Sequence, residues 1–365
     1  MEIIIPKPLR TLWEHDDGIA VIDQRKLPHE LVCEKVNTLD KTIWIIKEMV
    51  VRGAPLIACA GAYGVYFGLR EATSSDDLNT ILYKIRNSRP TAVNLFNTLD
   101  RIEKELSKFQ DLKEMTQYSL DLVRLIVEED VEICRKIGVH GLPLIEELHR
   151  KNPNRPVNIL THCNAGMLGC IEWGTISSPI YQAHKKGIPV HVWVDETRPR
   201  NQGANLTTWE LTQHGVPHTL IVDNTGGHLM QHNQVDICIV GADRVTRTGD
   251  TANKIGTYLK ALAAKDNNVP FYIALPSTTI DWNSKDGVKE IEIEERSQDE
   301  VKYVWGKNDE QKFERILICP ETTPALNIGF DVTPSRLIDG LITDRGICAA
   351  NEKDLLNLFP ENNLK

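Results

Sequence analysis

Two stretches of this chain place groups capable of proton transfer just past the ends of short apolar runs. The first is Val235–Tyr258, VDICIVGADRVTRTGDTANKIGTY. Its opening run, Val235-Asp236-Ile237-Cys238-Ile239-Val240, is too short for a helix and rich in β-branched residues, so it reads as a buried parallel strand. Gly241 ends the run, and Asp243 then lies past the strand's carboxyl end, the edge over which ligands bind in open α/β sheets. A flexible segment from Thr246 to Asp250 follows, and Asn253-Lys254-Ile255-Gly256-Thr257 leads into a helix expected over Tyr258–Ala264. A carboxylate and an ammonium thus face one crevice, a pair able to donate a proton and hold an anion. The structural alternative makes Asp243 a turn cap with Arg244 as its surface partner and leaves Lys254 solvated.

The second stretch is Val157–Thr161, a strand, followed by the polar turn His162-Cys163-Asn164-Ala165-Gly166 and a helix expected over Met167–Trp173. A helix starting there sets its dipole on Cys163 and favours a thiolate, which acts as nucleophile, base or electrostatic partner. The alternative is an inert, small hydrophobic side chain in a βα turn. A third strand, Val192-Trp193-Val194, runs out into Asp195-Glu196-Thr197-Arg198-Pro199-Arg200-Asn201-Gln202-Gly203-Ala204. Its acids, arginines, glutamine and glycine suit an anionic, hydroxyl-bearing ligand, or else a surface ion-pair cluster or dimer contact. Arg52-Gly53-Ala54 and Arg89 add cations and free backbone after helix ends, the ingredients of a phosphate cradle. His228 and His232 stand at metal-binding spacing, but the pattern offers no third ligand nearby. No GxGxxG follows any strand, which disfavours a dinucleotide.

These residues need elements to hold them. The first thirty residues read as a β-hairpin turning at Asp16-Asp17-Gly18. Helical spacing follows from Leu39 to Val50 with Asp40 as N-cap, broken by Arg52-Gly53-Ala54-Pro55. The helix around Ile57–Gly64 carries a small-residue face that lets another backbone come close. Further helices are expected over 77–88, 93–106 and 112–137, and a loop at 151–156. Strand-like runs at 157–161, 190–194, 219–222, 237–240, 271–275 and 316–318 then alternate with helical segments, the signature of a parallel sheet with helices on both faces. The fold class is therefore α/β. A mostly helical N-terminal domain with a small β-hairpin, residues 1–140, precedes a Rossmann-like parallel-sheet domain, residues 141–365.

Composition limits the function. The 365 residues are 41% apolar and 25% charged, ordinary for a globular protein with a sizeable core. A net charge of −9 without basic runs argues against nucleic acid as the main partner. No apolar stretch approaches the roughly 20 residues that span a bilayer, and the N-terminus lacks a signal-peptide layout. Eight scattered cysteines (33, 59, 134, 163, 170, 238, 319 and 348) without a CxxC pair suit reduced thiols in the cytoplasm and signal no structural zinc.

Together, VRGAPLIACAGAYG, SRPTAVNL, LTHCNAG, VWVDETRPRNQGA, GADRVTRTGDTANKIGTY and FDVTP resemble the methylthioribose-1-phosphate isomerase family. That family shares its fold with the α, β and δ regulatory subunits of a translation-initiation guanine-nucleotide exchange factor, and the similarity covers nearly the whole chain. The resemblance implies a cytoplasmic, homodimeric sugar-phosphate aldose–ketose isomerase of methionine salvage, with its active site in the crevice between the two domains. It places the catalytic cysteine on Cys163 and the proton donor on Asp243. Substrate and phosphate contacts fall on Arg52, Gly53, Ala54, Arg89, Gln202, Asn253 and Lys254. It implies no metal and no organic cofactor. Leu56, Ala58 and Cys59, and Asn327-Ile328-Gly329, depart from the family pattern beside the site and bear on which sugar is bound.

An aldose 1-phosphate cannot open spontaneously, because its anomeric oxygen carries the phosphoryl group. In the implied reaction Asp243, kept protonated in an apolar crevice, donates to the ring oxygen. Cys163 serves C2, either as the base of an enediolate path or as a polar stabiliser of a hydride shift. Two alternatives stand beside this one. One is an isomerase of 5-deoxyribose 1-phosphate or ribose 1,5-bisphosphate; the other is a non-catalytic regulatory subunit.

Overall fold

A computed structural model describes residues 3–90 and 92–363 and resolves two compact units. The first takes residues up to Arg135 together with Gly166–Gly174; the second takes Lys136–Ala165 and Thr175 onward.

In the first unit β1 (Leu12–His15) and β2 (Gly18–Ile22) form the expected hairpin, and β3 (Cys33–Val36) adds a third antiparallel strand. The helix α1 (Leu39–Lys47) is capped by Thr38, whose hydroxyl accepts from Lys41 N at 3.2 Å. Asp40, the expected cap, instead sits in the first turn, because a cap residue needs the extended backbone that Thr38 adopts. The long α2 (Ala54–Glu71) is buried over most of its length. Its glycine face meets side chains rather than another backbone: a Cβ at Gly61, Gly64 or Gly68 would press on Leu95, Thr42 or Ile81. The helices α3 (Asp77–Arg86) and α4 (Val93–Leu106) fall where the periodicity puts them. In contrast, α5 (Leu112–Lys151) runs well past Ile137 and through Pro143, since Leu142 and Ile145 continue its buried stripe. Leu12, Ile45, Leu56, Phe67 and Leu95 lie in this unit's core.

The second unit's strands are β4 (Val157–Thr161), β5 (Val190–Asp195), β6 (His218–Ile221), β7 (Ile237–Val240), β8 (Arg244–Thr246), β9 (Thr251–Lys254), β10 (Phe271–Ala274), β11 (Ile280–Asp281), β12 (Tyr303–Lys307), β13 (Phe313–Leu317), β14 (Phe330–Thr333), β15 (Gly340–Thr343) and β16 (Gly346–Cys348). Seven of them form one sheet in the order β16-β15-β10-β7-β4-β5-β6, parallel throughout except for the terminal β16. The helices α6 (Ser177–Lys185), α7 (Thr208–Gln213), α8 (Thr225–Gln231) and α9 (Thr257–Asp266) connect or follow these strands. Leu160, Val240, Phe271, Ile273 and Leu341 lie in the core.

Two sequence expectations change here. Ile316–Ile318 does not join the main sheet. It ends the exposed β12–β13 ribbon, while β15 and β16 take the places beyond β10. Four-residue β15 is bounded by Asp339 and Asp344, so its apolar signal is brief. The segment Thr246–Asp250, read as flexible, is the tip of the β8–β9 hairpin in a four-stranded sheet, β11-β8-β9-β14. Asp250 holds that tip by accepting from Gly287 N at 3.0 Å and Ser335 N at 2.8 Å. Among the described residues, no helix is long and apolar enough to cross a membrane.

Candidate active site

The parallel register of β4 and β5 sets Thr161 opposite Val194, so their carboxyl ends carry His162-Cys163 and Asp195-Glu196-Thr197 out side by side. Cys163 is buried and holds a left-handed backbone, φ +66°. Its N–H donates to Thr197 Oγ1 at 2.8 Å, and its carbonyl accepts from Thr207 Oγ1 at 2.7 Å. Thr197 Oγ1 donates onward to Asp195 O at 3.0 Å. Thr197 and Asn201 are left-handed as well, at φ +65° and +55°. Such conformations cost about 1–3 kcal/mol each in non-glycine residues and persist where surrounding contacts impose them. Gly203 completes the loop, because a Cβ there would stand 1.7 Å from Asp195 O. The helix expected over Met167–Trp173 is absent: only one 3₁₀ turn, Met167–Gly169, forms there. No α-helix dipole of that origin acts on the thiol.

Beneath this turn lies a buried ionic cluster that sequence reasoning missed. His162 Nδ1 is 2.9 Å from Asp195 Oδ2, and Lys260 Nζ is 3.0 Å from the same oxygen. His162 Nε2 faces the Ile255 carbonyl at 2.8 Å, which can only accept, so that nitrogen carries a proton. Asp223 accepts from Thr197 N and Arg198 N, each at 2.7 Å, and its carbonyl accepts from Lys260 Nζ. Ligand atoms of His162, Asp195 and Asp223 lie within 4.8 Å of one another. Both imidazole nitrogens are nevertheless engaged and an ammonium occupies Asp195, which suits internal pairing rather than metal ligation. The four residues come from four separate stretches, and no local pattern links them.

Asp243 follows β7, and its N–H donates to Ala252 O at 2.9 Å, which ties it to the hairpin. It is exposed, not enclosed in an apolar crevice as expected. Arg244 lies 3.7 Å from Asp281. Lys254 is buried on β9, where its ammonium donates to Gly329 O at 2.9 Å and sits 4.2 Å from the centre of the Phe330 ring. Among the described residues no carboxylate forms an ion pair with it, although the Asp243 charge acts on it. Burial pushes the Lys254 ammonium below its ordinary range, the negative charges of Cys163 and Asp243 act against that, and Arg296 and Arg200 reinforce it. Cys163, Asp243 and Lys254 therefore share one electrostatic environment. Asn253 is buried beside Lys254 and donates from Nδ2 to Thr257 Oγ1 at 3.0 Å. Gln202 is also buried, and its Oε1 has no hydrogen-bond partner among the described residues.

The arginines of the Asp195–Ala204 loop are internally engaged. Arg198 donates to Pro199 O and Val301 O at 2.7 Å each, and Arg200 pairs with Glu300 at 2.8 Å. Burial alone would raise the Glu300 carboxyl, but Arg296 and Arg200 hold it down at about 2. That part of the loop is an ion-pair cluster. In the first unit, Gly53 precedes α2 at φ +94° and gives it no side-chain cap. A Cβ on Gly53 would stand 2.4 Å from Gly169 Cα, so glycine is required. Arg52 and Ala54 flank it, and Arg89 lies between α3 and α4; all three are half-buried. Thr91, within SRPTAVNL, lies outside the described residues. The His228 and His232 rings lie tilted against each other, centres 4.1 Å apart, and join no metal-ligating group among the described residues.

A thiol and a carboxylate that act on one buried ammonium suit proton transfer on an anionic ligand. Comparison with known proteins agrees in outline. Residues 50–350 match the initiation factor 2 subunit family. A methylthioribose-1-phosphate isomerase from Desulfatibacillum aliphaticivorans is 54% identical over 359 residues, covering 96% of this chain and 97% of its own. The crystal structure of 5-methylthioribose 1-phosphate isomerase from Pyrococcus horikoshii superposes with a TM-score of 0.83 at 37% identity, covering 96% of each chain. The delta subunit of translation initiation factor eIF-2B from A. fulgidus gives 0.80 at 36% identity, covering 96% of this chain and 99% of its own. The chain belongs to the initiation factor 2 subunit family and, within it, to the methylthioribose-1-phosphate isomerases.

Proposed function

We propose that this protein converts 5-methylthioribose 1-phosphate to 5-methylthioribulose 1-phosphate in methionine salvage. The observation that carries the reading is Lys254: a buried ammonium that forms no ion pair with a carboxylate among the described residues and is electrostatically coupled to Cys163 and Asp243, inside a chain that matches an isomerase over 96% of its length. An anionic substrate supplies the charge that Lys254 lacks. Arg52 and Arg89, with the backbone of Gly53 and Ala54, bind the phosphate in this reading. Gln202 Oε1 accepts from a sugar hydroxyl, and Asn253 orients the ring.

Asp243 donates its proton to the ring oxygen as the ring opens and recovers one from the C2 hydroxyl as the ketone forms, and substrate covering this exposed residue supplies its desolvation. Cys163, whose charge couples to the Lys254 ammonium, takes the C2 proton as a thiolate and returns it to C1. Hydrogen moves from C2 to C1 with no net oxidation, so the step consumes no co-reactant. The protein acts as a cytoplasmic homodimer and requires neither metal nor nucleic acid for this step.

The test is NMR observation of purified protein with methylthioribose 1-phosphate, with 5-deoxyribose 1-phosphate and ribose 1,5-bisphosphate in parallel. Ketose formation from the first, lost in Cys163→Ala, is the expected result. Turnover of another sugar alone would move the substrate assignment, and turnover of none would favour a regulatory subunit. Deuterium entering C1 from D2O marks proton transfer, whereas none entering marks a hydride shift. Light scattering should read twice the mass of one chain.

A further inference from the structure

The first unit buries a second cluster that the isomerase chemistry does not use. Asp130 and Cys134 stand one helical turn apart on α5, and Cys170 approaches them from the segment after the 3₁₀ turn. All three are buried, and one ligand atom from each lies within 4.8 Å of the other two. Cys59, buried on α2, is close enough for the charges of Asp130 and Cys170 to act on its thiol.

One Asp130 oxygen accepts from Ile171 N at 3.1 Å, and among the described residues no cation pairs with the carboxylate. An amide would serve Ile171 equally well. A carboxylate in an apolar interior is costly unless a positive charge accompanies it. Desolvation lifts Asp130 to about 7, only partly opposed by the Ile171 hydrogen bond. The Cys134 thiol is pushed far up, first by its hydrogen bond with Cys170 and then by burial. A divalent ion reverses both tendencies, because metal ligation deprotonates thiols outright.

We infer that Asp130, Cys134 and Cys170 form a structural site for a thiophilic divalent ion of the zinc class, with Cys59 as the fourth ligand. Zn–S bonds of about 2.3 Å put two thiolates about 3.8 Å apart in a tetrahedron. Asp130, Cys134 and Cys170 therefore close on the ion with an inward shift of about 1 Å at most, whereas Cys59, outside their 4.8 Å group, must approach by more. The ion clamps α2 and α5 to the Gly166–Gly174 segment and contributes stability rather than chemistry. Three thiolates and a carboxylate balance with zinc at net −2, and their protons are released on binding.

The full chain is unfolded and refolded under reductant with zinc chloride or with a chelator, desalted, and analysed for zinc. About one zinc per chain is expected after refolding with zinc, with a higher melting temperature than the chelator-treated sample. Cys134→Ser combined with Cys170→Ser should lower bound zinc at least tenfold, and Cys319→Ser should not. Loss of folding would also abolish binding, so thiolate ligation is read on the wild-type chain with cobalt(II). An intense near-ultraviolet sulfur-to-cobalt charge-transfer absorption, weakened by Cys134→Ser alone, supports the site. Folded wild-type protein with less than about a tenth of a zinc per chain would overturn it, as would zinc retained by the folded double variant or cobalt bound without that absorption.

Discussion

Two buried carboxylates, Asp195 and Asp130, have opposite surroundings. Asp195 lies at the end of β5 with Lys260 and His162 on one of its oxygens, and around it Cys163, Thr197 and Asn201 hold left-handed backbones. Asp130 lies in the middle of α5 among thiols, with one backbone N–H and no cation among the described residues. A paired carboxylate anchors the strained backbone around it. An unpaired one is driven towards its neutral form, and so responds to pH or to an added ion. The difference teaches that burial alone says little about a carboxyl group; its partners decide whether it is scaffold or sensor.

The largest effect that sharpens this contrast is chemical. Asp243→Asn should lower kcat by at least about 10³-fold in the NMR assay with an unchanged melting temperature, because in the proposed reaction this carboxyl supplies the ring-oxygen proton and, being exposed, adds little packing. Wild-type turnover in that variant would remove Asp243 from the reaction. Next in size is the pair itself. Lys260→Met takes the ammonium from Asp195 and leaves it with His162, and should cost roughly 3–5 kcal/mol in urea unfolding. A cost below about 1 kcal/mol would mean that Asp195 does not depend on Lys260.

The third prediction concerns Asp130 in the chelator-treated chain. Its folded-state value of about 7 lies above the ordinary 3.8, so between those values the folded state binds more protons than the unfolded one. Stability contributed by this group is therefore full below about pH 4 and is lost as pH rises through about 7, by up to roughly 4 kcal/mol. Asp130→Asn should flatten that slope, and an unchanged slope would assign it elsewhere. The smallest effect is at Lys254. Lys254→Met should lower kcat/KM by about 30-fold, mainly through KM, because a hydrogen bond from a charged group to the substrate is worth about 2 kcal/mol. A change confined to kcat would make Lys254 a partner of the transition state rather than of the phosphate.

Local signals carried a good part of the architecture. The β-branched runs of β4 and β7 have the bounds their composition implies, and α4 matches its periodicity. Errors arose where neighbours overrule local preference. Thr38 rather than Asp40 caps α1, since only the extended residue aims its oxygen at the free N–H groups. Met167–Trp173 reads as helical, yet Gly166 and Cys170 are extended and Gly174 is left-handed, so the chain turns once and stops. The Thr246–Asp250 polar run reads as loop, but Asp250 finds Gly287 and Ser335 far along the chain and closes a hairpin.

By itself, the sequence determined the α/β alternation, the strand ends after which Cys163 and Asp243 stand, and, through the strings shared with its relatives, the family. These depend on spacing within one stretch or on motifs read in order. Tertiary structure alone decided which charges meet. It gave Asp195 to Lys260 and His162, left Lys254 with a carbonyl and an aromatic ring, engaged Arg198 and Arg200 within the protein, and drew Asp130, Cys134 and Cys170 together. The physical reason is range. Strand and helix patterns arise from neighbours a few residues apart, whereas the energy of a buried charge depends on groups brought beside it from anywhere in the chain.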